Sequence, residues 1–330
     1  MMFMLTGLLR GDALGWLLNP PHDICLLPFA MEDGLLPGET LQIHLHEPHQ
    51  LALFETIRDS TSHHHGCIGQ LLESSSDDDG FCTTAPLLEL CEQRTHKDIG
   101  VWCEFACVGA AAVSEIELRT IDEEMALNGV PLTSPGSLPF LVGRASILRD
   151  DPPESEEQQE QGKRFVDSVR ELHACVNGLR REALGLNPDG PLSASDRVTS
   201  GGDRLGPPPP ADSRVEYGHR LGPLIGPYLT IDEHVALRAA TLRARGCDEP
   251  PDADLCRRRD LWGCANEEAA LRRLLSFVAC EGFSDEARVG AMALEDTNQR
   301  LEHAIAALST RKAKLTAEVA LRRAYTEDGR

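Results

Sequence analysis

No cysteine in this chain stands three residues from another. Eleven are scattered over 330 residues, an odd number with no C-x-x-C pair. That excludes a zinc ribbon or RING-type module and argues against a disulfide framework, leaving a reducing compartment as the simpler reading. The glycine-rich phosphate cradle is missing too: the one Gly-Lys pair, Gly162-Lys163, is followed by Arg164 and has no glycine at the required place upstream. No Gly-x-Ser-x-Gly elbow is present. Nothing approaches the roughly eighteen consecutive apolar residues of a membrane span. Aromatic residues are sparse, at 5%. The N-terminal MMFMLTGLLRGDALGWLL lacks a basic start and carries Asp12, which argues against a secretory signal. We therefore expect a cytoplasmic, non-catalytic protein with no cofactor, and keep a chloroplast or mitochondrial destination as the alternative. Basic residues are scarce where they would matter for nucleic acid. Residues 1–151 hold 23 acidic and 7 basic side chains, a balance of −16, against 30 and 25 in 152–330, a balance of −5. Phosphate backbones and anionic membranes are bound by Lys and Arg, so neither is an expected partner.

The most informative stretch that is present runs over 35–57, LLPGETLQIHLHEPHQLALFETI. Leu41, Ile43 and Leu45 alternate with Gln42, His44 and His46, the period of a half-buried strand. After Glu47-Pro48, Leu51, Leu53, Phe54 and Ile57 recur at helical spacing. Pro48 suits the first helical position, and Pro37-Gly38 marks a turn before the strand.

Further strands are expected at 24–29, 66–72, 86–93, 101–118 and 139–148, with Val101, Cys103, Phe105 and Cys107 on one face and a bulge at Gly143. Residues 74–80 and 128–137 are loop chemistry. The acidic, proline-containing 150–162 breaks the pattern, and the domain boundary is placed there. From Lys163 the period is helical: Phe165, Val169, Leu172, Val176, Leu179 and Ala183 form a stripe. Residues 187–227 contain 15 Pro or Gly in 41, which predicts a mobile insert. Thr230-Ile-Asp-Glu233 has capping-box form and opens a helix to about Arg245. A second helix opens at Asn266 and ends near Gly282. Ser284 is expected to begin the last and longest helix, with an a/d-like seam of Leu294, Leu301, Ile305, Leu308, Leu315 and Val319, and the pairs Asp296/Arg300 and Glu318/Arg322 on its exposed side.

Leu27, Pro28, Leu36, Pro37, Gly38, Leu41, His44, Glu47 and Pro48 together resemble the opening of the Lon protease N-terminal, substrate-binding domain. That family has a proline-bearing strand, a Pro-Gly turn and a strand-to-helix passage of the form "lplhiFEpRY". VWCEFACVGAAAVSEIEL and PFLVGRASILRDD resemble its later strands, and Ser276, Phe277, Leu294, Glu295, Arg300 and Leu301 resemble its helical part. The resemblance implies an α+β protein. A PUA-like antiparallel β-barrel (24–150), preceded by an extension (1–23), would be followed by an acidic linker (151–162) and a helical bundle (163–325). It also implies a stand-alone recognition protein without ATPase or protease modules. Its partners would be polypeptide clients or a component of a protease or ligase.

Within this scheme Pro28, Pro37, Gly38, Leu41, His44, Glu47 and Pro48 are family-motif positions. Leu45, Phe54 and Phe140 are the candidate lining of a polypeptide-binding groove between sheet and bundle. His44, His46, His49 and His63–His65 could be assembled into a metal site, against the plainer reading of a family residue and a solvated loop. Cys103 and Cys107 are ligands or, more simply, core. Glu47 is either an acceptor beside a helix start or a groove contact. The seam is bundle core or a self-association surface. An RNA-associated PUA-like protein and an unrecognised metal-dependent enzyme are the rival functions.

Overall fold

The computed structural model describes residues 22–58, 67–74, 80–96, 100–120, 139–148, 150, 155–183, 219–221, 230–243 and 267–327. The expectations for 1–21, for His63–His65, for the loop at 128–137 and for 187–218 concern residues outside these. Strand β1 (His22–Phe29) leads through a 3-10 turn (Met31–Asp33) to β2 (Thr40–Leu45) and helix α1 (Pro48–Arg58). Strands β3 (Cys67–Leu72), β4 (Thr84–His96), β5 (Gly100–Thr120) and β6 (Pro139–Ile147) follow. Then come α2 (Glu156–Ala183), a short β7 (His219–Leu221), α3 (Ile231–Arg243), α4 (Glu267–Ala279), α5 (Asp285–Ala293) and α6 (Thr297–Glu327).

The strands form one mixed sheet ordered β4-β3-β1-β6-β5-β2-β7, and β4 also pairs with β5, so five of the strands make a closed circuit of pairings. The expected antiparallel arrangement holds except between β1 and β3, which run parallel, with Cys25 opposite Ile68. β7 lies in the stretch anticipated as a mobile insert and pairs instead with β2, Leu41 opposite Arg220. The long β5 serves two neighbours on one side, β2 over its first part and β6 over its second. The expected bulge is on the other strand of the pair: β5 takes up an extra residue between Ser114 and Glu117, opposite Gly143. Gly143 is required by close packing, since a Cβ there would sit 2.7 Å from both Leu26 and Val113 side chains.

Alternation along the strands divides the apolar side chains between two clusters. Ile24, Leu26, Leu71, Leu87, Val113 and Ala145, from the circuit's five strands, pack with one another. The opposite face of β1, β2 and β5 sends Cys25, Leu41, Ile43, Cys103 and Phe105 into a larger core that continues into α2, α4 and α6 through Val169, Leu274, Phe277 and Leu301. Sheet and helices therefore share one core across the expected domain boundary. The stretch expected as an acidic linker is helical from Glu156, because Ser155 and Gln158 form a reciprocal capping box, Ser155 N donating to Gln158 Oε1 (3.1 Å) and Gln158 N to Ser155 Oγ (3.2 Å).

On the helical side, the α2 stripe buries Val169, Val176 and Ala183, and the α6 seam buries Leu301, Leu308 and Val319. Thr230 and Glu233 cap α3 as their spacing predicts. The last helix does not begin at Ser284. Ser284 caps the short α5, accepting from Ala287 N (3.4 Å), and Leu294 turns extended before α6 starts at Thr297.

Candidate functional site

The turn Pro37-Gly38 carries Glu39 into the space between sheet and helices, where its side chain is 1% exposed. A carboxylate there needs full pairing. Glu39 Oε2 accepts from Leu36 N (2.7 Å) and Arg288 Nη2 (2.7 Å), and Oε1 accepts from Arg238 Nη2 (3.0 Å). Arg238 also donates to Pro37 O (3.2 Å) and lies 3.2 Å from Glu281 Oε2; Arg288 also donates to Gly34 O (3.1 Å) and Glu281 O (3.0 Å). Two acids and two arginines thus meet from β2's entry, α3, α5 and the turn after α4. Gly38 has φ +84°, and any side chain there would run into Arg238 Cβ at 2.7 Å. Both requirements select glycine.

Behind this cluster lies a cavity of about 340 Å³. Its walls are α2 (His173, Val176, Asn177, Arg180), His234 of α3, Val278, Ala279, Glu281, Gly282 and Phe283, and Leu308 and Arg311 of α6. His234 is 3% exposed, neither ring nitrogen has a hydrogen-bond partner, and its Nδ1 is 3.8 Å from Glu281 Oε2, too far to bond. The His173 ring meets it edge-on, with centroids 5.7 Å apart. Arg311 donates to Gly282 O (3.1 Å). Among the described residues Arg180 makes no hydrogen bond and neither arginine has an ion-pair partner. Burial, and then the neighbouring Arg311, pull the Arg180 pKa down. The His173 pKa is lowered by burial and then by Arg180 and Arg311. Glu281, which also lines the cavity, acts on Arg180 in the opposite sense, so two arginines face one lining carboxylate among the described residues.

Burial, followed by His173 and Arg238, holds the His234 pKa down at about 3 against an ordinary 6.5. Between those values the unfolded chain binds a proton that the native ring refuses, so stability declines as pH falls through that window. His173 acts in the same sense. Glu281, whose pKa is raised first by burial, acts in the opposite one. In urea titrations the wild type is expected to lose on the order of 2–3 kcal/mol more than His234→Gln between about pH 7 and about pH 4. Parallel profiles for the two proteins would count against this assignment.

The sequence-derived positions fall elsewhere. Leu45, Phe54 and Phe140 are 1%, 2% and 2% exposed and belong to the shared core, so they offer no open groove and a client docking on them would have to displace that packing. Pro28 sits in β1 opposite Leu71, and Leu41 is core. His44 stacks flat on Trp102, with centroids 4.5 Å apart, and His46 stacks on His44 at 5.0 Å. Glu47 precedes α1, which begins at Pro48. Its carbonyl accepts from Leu51 N (3.0 Å), its carboxylate lies 3.2 Å from His49 Nε2, and Gln50 Oε1 accepts from His46 N and Glu47 N at 3.3 Å each. Cys103 and Cys107 are both core, with thiols pushed up to about 12 by burial. No three His, Cys, Asp or Glu among the described residues converge as metal ligands. No helix among them is long and apolar enough to cross a membrane.

A second buried ion group departs from the sequence expectation. Arg300, paired with Asp296 on an exposed face by its spacing, is 0% exposed. It pairs with Asp150 beyond β6, donates to Ser276 Oγ (2.9 Å) and Leu294 O, and lies 4.1 Å over the Phe277 ring. Arg273 Nε is 3.1 Å from the other Asp150 oxygen. The companion pair, Glu318 and Arg322, is exposed as expected, at 3.3 Å.

No protein-family model matches the chain, and no curated protein does. Two of the solved structures that the chain matches are Lon N-terminal domains. One is the Lon N-terminal domain protein from Xanthomonas campestris, 15% identical over 43% of this chain and 70% of that one, with a TM-score of 0.29. The other is the N-terminal domain of Mycobacterium avium complex Lon protease, 12% identical over 87% of this chain and 98% of that one, with a TM-score of 0.36.

Proposed function

We propose that this protein is a non-catalytic polypeptide-recognition protein, built as a PUA-like barrel with a helical bundle packed on it, that binds client segments and presents them to a protease or ligase component. The observation that carries the reading is the cavity between α2, α3, α4 and α6. It sets apolar walls (Val176, Val278, Leu308) beside two guanidiniums, Arg180 and Arg311, that have no ion-pair partner among the described residues, the composition of a recognition pocket. The sequence resemblance at Pro28, Pro37, Gly38, Leu41, His44, Glu47 and Pro48 supports the same reading, and the closed circuit of five strands supports the barrel. The buried thiols of Cys103, Cys107 and Cys280, each held at about 12, supply no thiolate nucleophile. The acidic balance of residues 1–151 disfavours the RNA-associated alternative.

The test is a fluorescence-anisotropy titration of a labelled, permanently unfolded polypeptide with the full chain, using the same label on a folded protein as control. Saturable binding of the unfolded polypeptide alone is expected. Absence of saturation up to roughly 100 μM, weaker than about −5.5 kcal/mol, would overturn the reading.

A further inference from the structure

We propose that the cavity between α2, α3, α4 and α6 is a carboxylate-binding site, receiving an acidic side chain or the terminal carboxylate of a bound polypeptide. The proposal deepens the recognition function above and rests on it.

Charge bookkeeping within the cavity points to an anion. The one carboxylate among its described lining residues, Glu281, lies 3.2 Å from Arg238, so its charge is shared between that arginine and Arg180. Arg180 on α2 and Arg311 on α6 line the same space, and among the described residues neither has an ion-pair partner. A guanidinium offers five N–H donors in a planar fork that matches a carboxylate, and two such forks without an anion repel each other. A buried polar group left unsatisfied is the independent sign of a missing ligand: His234 lines the cavity at 3% exposure with both ring nitrogens unpartnered. A neutral imidazole has one N–H to give, which a carboxylate oxygen can accept. The volume of about 340 Å³ lies at the small end of ligand pockets and suits one residue. Val176, Val278, Phe283 and Leu308 would cover the methylenes of an acidic side chain or the side chain of a terminal residue.

Calorimetric titration of the full chain tests this with four probes: N-acetyl-leucine, carrying a terminal carboxylate; N-acetyl-glutamic acid α-amide, carrying a side-chain carboxylate; N-acetyl-leucinamide, neutral; and inorganic phosphate. At least one carboxylate probe is expected to bind tenfold or more tighter than the neutral amide and tighter than phosphate, and the tighter of the two identifies the source. Arg180→Gln and Arg311→Gln should each weaken that binding at least tenfold. Arg180→Gln should also leave the thermal midpoint unchanged or raised, because it removes a charge repelled by Arg311. Equal binding of the neutral amide, preference for phosphate, or full retention in both variants would overturn the proposal. The two readings fail separately. If unfolded polypeptide binds while no carboxylate probe does, the carboxylate site is wrong and recognition stands. If the probes bind and polypeptide does not, the site stands as a small-carboxylate pocket and the recognition function fails.

Discussion

Glu39→Ala is expected to destabilise the protein by about 3–5 kcal/mol, the cost of removing one partner from a buried ionic group. The substitution leaves Arg238 and Arg288, 2% and 3% exposed, facing each other around an empty place, with the Glu281 carboxylate beside Arg238. It also strips Leu36 N of its acceptor. Glu39→Gln keeps one oxygen for Leu36 N or an arginine and should lose less. The quadruple change Glu39→Leu, Arg238→Met, Arg288→Met, Glu281→Gln removes all four charges together and should recover much of the loss. Urea unfolding of the four proteins reads this directly. A Glu39→Ala midpoint within about 1 kcal/mol of wild type would mean that water reaches the cluster and the pairing contributes little.

Arg300→Ala should cost a similar amount, about 3–5 kcal/mol, for a different structural reason. Arg300 joins three places: Asp150 after β6, Ser276 on α4, and Leu294 O, where the chain breaks between α5 and α6. Removing it leaves the Asp150 carboxylate with Arg273 and the Thr297 hydroxyl as its remaining partners and frees the carbonyl at the break. Arg300→Lys retains the charge and not the fork, so it should cost on the order of 2 kcal/mol, since an ammonium cannot serve Asp150, Ser276 and Leu294 together. Native-state hydrogen exchange separates the outcomes. Amides of α5 and the first turn of α6 should lose protection in Arg300→Lys ahead of those of β5. Uniform loss of protection across the chain would contradict a local tie at the break.

What could be read in the sequence was whatever repeats. The period-two run Leu41, Ile43, Leu45, the stripe from Phe165 to Ala183 and the seam from Leu301 to Val319 all set out their own buried faces, and the structure buries those faces. The ionic clusters could not be read in that way, because no spacing connects Glu39 with Arg238 and Arg288, 199 and 249 residues away. A weaker signal was present. In α3 the positions Ile231, His234, Val235, Arg238, Ala239 and Leu242 follow one apolar stripe, and His234 and Arg238 occupy it. Arg300 likewise directly precedes Leu301 on the buried side of α6, and its four-residue spacing from Asp296 shows which residues are neighbours, not which face is covered. A charged or imidazole side chain at a stripe position is a request for a distant partner. The groove at Leu45, Phe54 and Phe140 was drawn where the two halves were expected to meet as separate bodies. The shared core fills that place.

The cluster at Glu39 also constrains how the chain can be made. During synthesis the strands emerge first, and Glu39 enters the growing sheet while Arg238 and Arg288 are still to be translated. Until they arrive, burying Glu39 would leave a bare carboxylate in an apolar setting, so the larger core cannot close around the first strands. The sheet half should therefore remain loose and dependent on chaperones through most of translation, settling only when α5 has left the ribosome. Nascent chains arrested before Arg288 should be cut readily by protease within β1–β6, and chains arrested beyond α6 should resist.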